Sequence, residues 1–112
     1  MESLRQNKVA KLLQKELAEL FRSEARNLFD GAFITVTIVR ISPDLSVARV
    51  YLSIMANKNR DAILALVKSQ HNVIRKRIGI LIGKQVRIIP EFHFFIDDSL
   101  DYAEKIDQLL KK

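Results

Sequence analysis

Two alternating runs on either side of a short turn constrain this chain more than any other feature. Residues 32–41 put Ile34, Val36 and Ile38 on one face and Thr35 and Thr37 on the other. Residues 47–55 put Ala48, Val50, Leu52 and Ile54 one way and Arg49, Tyr51 and Ser53 the other. Side chains alternate across a strand, so each run reads as a strand with one buried face. Ser42-Pro43-Asp44 supplies turn chemistry between them, and the unit reads as a β-hairpin.

The remaining periodic segments read mostly as helices. Residues 4–26 bring Val9, Leu13, Glu16, Leu17 and Leu20 into one arc, with Leu12 at its edge, and Lys8, Lys11, Lys15 and Arg22 opposite. Asp30-Gly31 ends that unit. Residues 59–69 predict a helix burying Ile63, Leu66 and Val67, and residues 73–83 a second one along Ile74, Ile78, Leu81 and Ile82. Gln70-His71-Asn72 carries no apolar residue and marks a break between them. Residues 85–96 predict a third strand, with Val86, Ile88, Phe92, Phe94 and Ile96 on one face. Pro90 lacks an N–H for a ladder and so implies a bulge or an edge position. Asp98 or Ser99 then caps a last helix carrying Leu100, Ala103, Ile106, Leu109 and Leu110 at helical spacing.

Charge is distributed unevenly over these elements. The formal charge is +1 over residues 1–30, +8 over 31–90 and −3 over 91–112, within +6 for the whole chain. Residues 62–90 hold Lys68, Arg75, Lys76, Arg77, Lys84 and Arg87 and no acid. Such a field attracts polyanions, of which nucleic acid is the commonest in a cell. Composition alone leaves open whether this is a binding surface or an ordinary solvated one. At 112 residues the chain reads as a single domain long enough to bury a core. It has no cysteine, no visible signal peptide and no apolar run long enough to span a bilayer, which together fit a cytoplasmic protein.

Catalytic constellations have little support. The only histidines, His71 and His93, stand apart and lack a cysteine partner. Asp97, Asp98 and Asp101 have the composition of a metal site, but carboxylates at a helix start are explained by capping. Gly79-Ile80-Leu81-Ile82-Gly83 has the spacing of a membrane helix-dimer motif in surroundings too short for one, and it lacks the Lys-Ser/Thr pair of a phosphate loop. No cofactor, metal or small-molecule substrate is expected.

The order helix-strand-strand-helix-helix-strand resembles the type II KH topology, an RNA-binding α+β module in which a three-stranded mixed sheet packs on helices. Four local matches identify the chain as similar to one KH-like family, bacterial ribosome-binding factor A. Arg5-Gln6-x-Lys8-Val9 with Leu12, Leu13 and Glu16-Leu17 looks like the family's first helix. Val39-x-Ile41-Ser42-Pro43-Asp44-Leu45-Ser46-x-Ala48-x-Val50-Tyr51-x-Ser53 looks like its hairpin and is the most specific match. Val73-Ile74-Arg75 is similar to the helix start after the kink, and Arg87-Ile88-Ile89-Pro90-Glu91-Phe92-x-Phe94-Phe95-x-Asp97-Asp98-Ser99 to the third strand and its exit. Gln70 and Asn72 depart from the family's usual Ala-x-Gly kink. Asn72 is the residue expected to take positive φ in the missing glycine's place.

The resemblance implies a monomeric, non-enzymatic factor that binds the free small (30S) ribosomal subunit. It further implies help with late maturation and processing of 16S rRNA near its 5′ end, and support of growth in the cold. The residues expected to meet RNA are Arg49, Lys68, Gln70, His71, Asn72, Arg75, Lys76, Arg77, Lys84 and Arg87, with the cations neutralising backbone phosphates. Two other classes stay open at this level. One is a general nucleic-acid module, including a DNA-binding helix-turn-helix with residues 73–83 as recognition helix; the other is a protein-interaction adaptor using the acidic terminal helix.

Overall fold

The computed structural model describes residues 3–55 and 59–97. The elements are α1 (Leu4–Ser23), α2 (Ala25–Leu28), β1 (Phe33–Ile41), β2 (Val47–Met55), α3 (Arg60–Ser69), α4 (His71–Ile82) and β3 (Glu91–Ile96). The strands form one sheet in the order β1-β2-β3, antiparallel between β1 and β2 and parallel between β2 and β3. This is the expected type II KH-like α+β arrangement of helices on a mixed sheet. The expected terminal helix over Leu100–Leu110, with its cap at Asp98 or Ser99, lies outside the described residues.

One sheet face is core. Ala48, Val50, Leu52 and Ile54 of β2 are all buried, as the alternation predicts, and meet Leu13, Leu17 and Phe21 of α1, Ile63 and Val67 of α3, and Ile74, Ile78 and Ile82 of α4 in one apolar cluster. Helix α1 starts at a capping box in which Ser3 and Gln6 satisfy each other's backbone amides. Buried Gln6 also donates 2.8 Å to the Ile41 carbonyl, tying the helix start to the end of β1.

Four expectations need correction. First, Ile38 is not core: it is 40% exposed, and Val39 is buried instead. A β-bulge between Val36 and Ile38 inserts Thr37 and flips the phase of the strand. Its polar partners are external to β1: Thr37 Oγ1 donates to Asp97 at 2.6 Å and lies 3.2 Å from the Tyr51 carbonyl, while Gln14 donates to the carbonyls of Val36 and Thr37. Second, the third strand begins at Glu91 rather than residue 85. Residues 83–90 form a turn and loop in which Val86 is half-buried and Ile88 exposed; Pro90 is fully buried just before the strand. Third, Leu81 is 54% exposed, since helix α4 turns Ile74, Ile78 and Ile82 inward and leaves Leu81 beside Ile80 on its outer side.

The fourth correction concerns the kink. Asn72 is helical, in the first turn of α4, and the only positive-φ residues are Asp30, Gly31 and Leu45 among the described ones. The break falls on Gln70, with φ −96 and ψ 12. Its N–H still reaches the Leu66 carbonyl at 3.2 Å, and its own carbonyl accepts from Ile74 at 3.0 Å. One residue in the bridge region therefore closes one helix and opens the next, and no left-handed residue is needed.

The hairpin turn is held by side chains. Asp44 accepts from the hydroxyls of Ser42 and Ser46, both at 2.7 Å, and from the Ser46 N–H at 3.1 Å. These donors pull the Asp44 carboxyl down to about 2. They also brace Leu45, whose φ of 63 is uncommon for a branched side chain.

Candidate nucleic-acid interface

The site is built where the α3–α4 break passes the edge strand. Because Gln70 interrupts the helical ladder, the backbone N–H groups of His71, Asn72 and Val73 begin a new helix with no side-chain cap. Uncapped amides at a helix start favour an anion. Lys68 and His71 line one shallow groove of 280 Å³ with Phe92, His93, Phe94 and Phe95 of β3. His71 Nδ1 lies 2.9 Å from the Lys68 carbonyl, which orients its ring at the end of α3. Asn72, Arg75, Lys76 and the Ile89 side chain line a second, more open hollow of 420 Å³.

The expected cations divide into two kinds. Lys68, Lys76, Lys84 and Arg87 are exposed, and their side chains have no partner among the described residues. Arg75 and Arg77 are partly committed inside the fold. Arg75 donates to the carbonyls of Ile89 at 2.8 Å and Pro90 at 3.2 Å, fastening the loop before β3 to α4. Arg77 donates to the Glu24 carboxylate, and that hydrogen bond holds the Glu24 carboxyl below its usual range against the opposing effect of burial. Arg49 stands apart from the break, on the other face of the sheet, paired across the strands with Arg40 on one side and His93 on the other.

The sequence reading omits His93 and Phe95, which line the groove with Lys68 and His71, and Arg40, which flanks Arg49. Hairpin register was the available signal for Arg40, because residues equidistant from the Ser42–Val47 turn face each other. Among the described residues there is no cluster of three or more metal-ligating side chains, and no helix is long and apolar enough to cross a membrane.

A three-stranded mixed sheet carrying a basic, interrupted helix pair at its edge places the chain in the α+β class with a KH-like arrangement. A family model described as ribosome-binding factor A matches residues 5–110. Ribosome-binding factor A of Cytophaga hutchinsonii is 53% identical over 112 residues, covering all of this chain and 84% of the relative. Its counterpart in Chlorobaculum tepidum is 38% identical over 110 residues, 97% of this chain and 90% of that one. A crystal structure of ribosome-binding factor A from Thermus thermophilus superposes with a TM-score of 0.67 at 21% identity, over 81% of this chain and 94% of that one. A Thermus thermophilus homology model fitted into the map of a 30S–RbfA complex superposes at 0.61 and 25% identity, over 78% and 89%. The chain belongs to the ribosome-binding factor A family.

Proposed function

We propose that this chain binds the free small (30S) ribosomal subunit and assists late maturation and processing of 16S rRNA near its 5′ end. It acts as a non-enzymatic, cytoplasmic monomer, with residues 1–112 as one KH-like domain. The observation that carries this reading is the α3–α4 break itself. Three uncapped amides sit there near the side chains of Lys68, Asn72 and Lys76, and neither lysine is paired with an acid among the described residues. Phosphates of a folded RNA would be held by these cations and amides, giving affinity with little base-sequence information. The family relationship supports the ribosomal partner, and a related protein has been fitted into a 30S complex.

Sedimentation of tagged protein through a ribosome gradient tests the partner. Co-migration with free small subunits, absent from 70S particles, is the expected result. Accumulation of 5′-extended 16S precursor in cells depleted of the protein tests the maturation role. Preference for duplex DNA over rRNA in salt-matched competition would contradict the reading in favour of a DNA-binding module.

A further inference from the structure

The sheet has a second face that no described element covers, and its side chains fall into rows that only the strand register reveals. Tyr51 of the central strand pairs with Ile38 of β1 on one side and Phe95 of β3 on the other. Tyr51 and Phe95 are stacked with ring centroids 5.4 Å apart and planes inclined by 27°. Ile38 and Phe95 are each 40% exposed. The adjacent row is Arg40, Arg49 and His93, again one from each strand. Beyond it, Glu91 approaches His93 at 3.8 Å and is the acid on this face of β3.

Two features of these rows suit a bound ligand. Like charges directly opposite on neighbouring strands repel, yet Arg40 faces Arg49 with no acid bonded to either among the described residues. The two arginines also line a hollow of 440 Å³ together with Ser42, Pro43 and Val47. An anion between them would remove the repulsion. Beside the arginines lies the aromatic pair of half-buried Tyr51 and exposed Phe95, about 7 Å further along the strand, the spacing of consecutive same-face positions. Phosphate and base of one nucleotide are separated by a comparable distance.

From this geometry we propose that the open sheet face is a platform for single-stranded RNA. A backbone phosphate sits on the Arg40–Arg49 pair and an unstacked base lies on the Tyr51–Phe95 surface. Aromatic rings on an open sheet hold splayed bases in this way, and stacking accepts any base because every base has a π-face. The face is continuous with the helical site, because His93 and Phe95 also line the groove with Lys68 and His71 at the β3 edge. A strand leaving the α3–α4 break would therefore pass the β3 edge and arrive on the aromatic row. This inference rests on RNA being the partner proposed above, and its test separates the two.

The test uses the full chain with a labelled oligouridylate 8-mer and, separately, a duplex RNA of equal length, read by fluorescence anisotropy. Phe95→Ser removes the stack, and Arg49→Gln removes the phosphate contact from an exposed position where folding is not at stake. Both variants are expected to bind the single strand about tenfold more weakly, with duplex binding nearly unchanged. Ultraviolet crosslinking is expected to leave a nucleotide adduct on Tyr51 or Phe95. Equal single-strand affinity for wild type and both variants would overturn the platform. So would weakened subunit binding with unaltered oligonucleotide binding, which would place a ribosomal protein or a helical RNA on this face. A failure of the parent chain to bind small subunits strikes at the proposed function, whereas the oligonucleotide measurement decides the platform by itself.

Discussion

Arg77 of α4 donates to the carboxylate of Glu24 at the junction of α1 and α2, so one cation of the acid-free stretch is already engaged within the fold. The bond is lopsided in exposure: the Arg77 side chain is 46% exposed and that of Glu24 only 16%. Glu24→Gln removes the negative charge while keeping an acceptor. It is expected to release the Arg77 charge to solvent, tighten binding to small subunits and steepen its salt dependence by up to about one log-log unit. Binding isotherms at several salt concentrations check this. Unchanged binding by the folded variant would mean that Arg77 faces away from the RNA.

The bulge at Thr37 makes a directional statement about stability. Val39→Ala is expected to destabilise more than Ile38→Ala, although uniform alternation from Ile34 predicts the opposite. Leu52, fully buried in the central strand, is expected to cost about 2–5 kcal/mol when truncated to alanine. Urea unfolding of the three variants gives the order directly.

Asn72 offers a clean test of where the helices part. As an exposed residue in the first turn of α4 it has ordinary helical geometry. Asn72→Ala is therefore expected to be neutral or stabilising, and Asn72→Gly to be less stable than the alanine variant by roughly 0.5–1 kcal/mol. A left-handed Asn72 requires the reverse order.

The Asp44 turn sets a pH dependence. Its carboxyl is lowered from the ordinary 3.8 to about 2 by the hydroxyls of Ser42 and Ser46. A depressed folded-state value means that the contribution is fully present above about pH 4 and disappears as pH falls through about 2. The stability difference between the parent chain and Asp44→Ala should be constant from about pH 5 upward and shrink between about pH 4 and pH 2. A difference that persists at about pH 2 would assign the turn to packing rather than to the ionised carboxylate.

Legibility from the sequence followed the reach of each determining contact. Strand β2 was readable from end to end because its period of two is unbroken and its core face entirely apolar. The bulge in β1 was not, since Thr37 is held by Gln14, Tyr51 and Asp97, the last of them 60 residues away. Val86 and Ile88 imitate strand alternation, but Arg75 fastens the segment before β3 as a loop through its carbonyls. At the break, the polar triplet showed that the helix stops, while the choice of Gln70 over Asn72 depended on backbone hydrogen bonds. The acid-free stretch disclosed the cations. Which of them are engaged by Glu24 or by carbonyls, and which rows they join on the sheet, depends on tertiary placement.

Lys68 and Lys76 at the α3–α4 break have no acid partner among the described residues and are expected to hold phosphates of the small subunit's RNA. The most direct measurement is the salt dependence of binding to purified free small subunits for the parent chain and for a folded Lys68→Gln/Lys76→Gln variant. Each lost phosphate contact should flatten the log-log slope by about one unit, so the double variant should bind more weakly with a slope about two units smaller. Identical slopes and affinities for the two proteins would contradict the account.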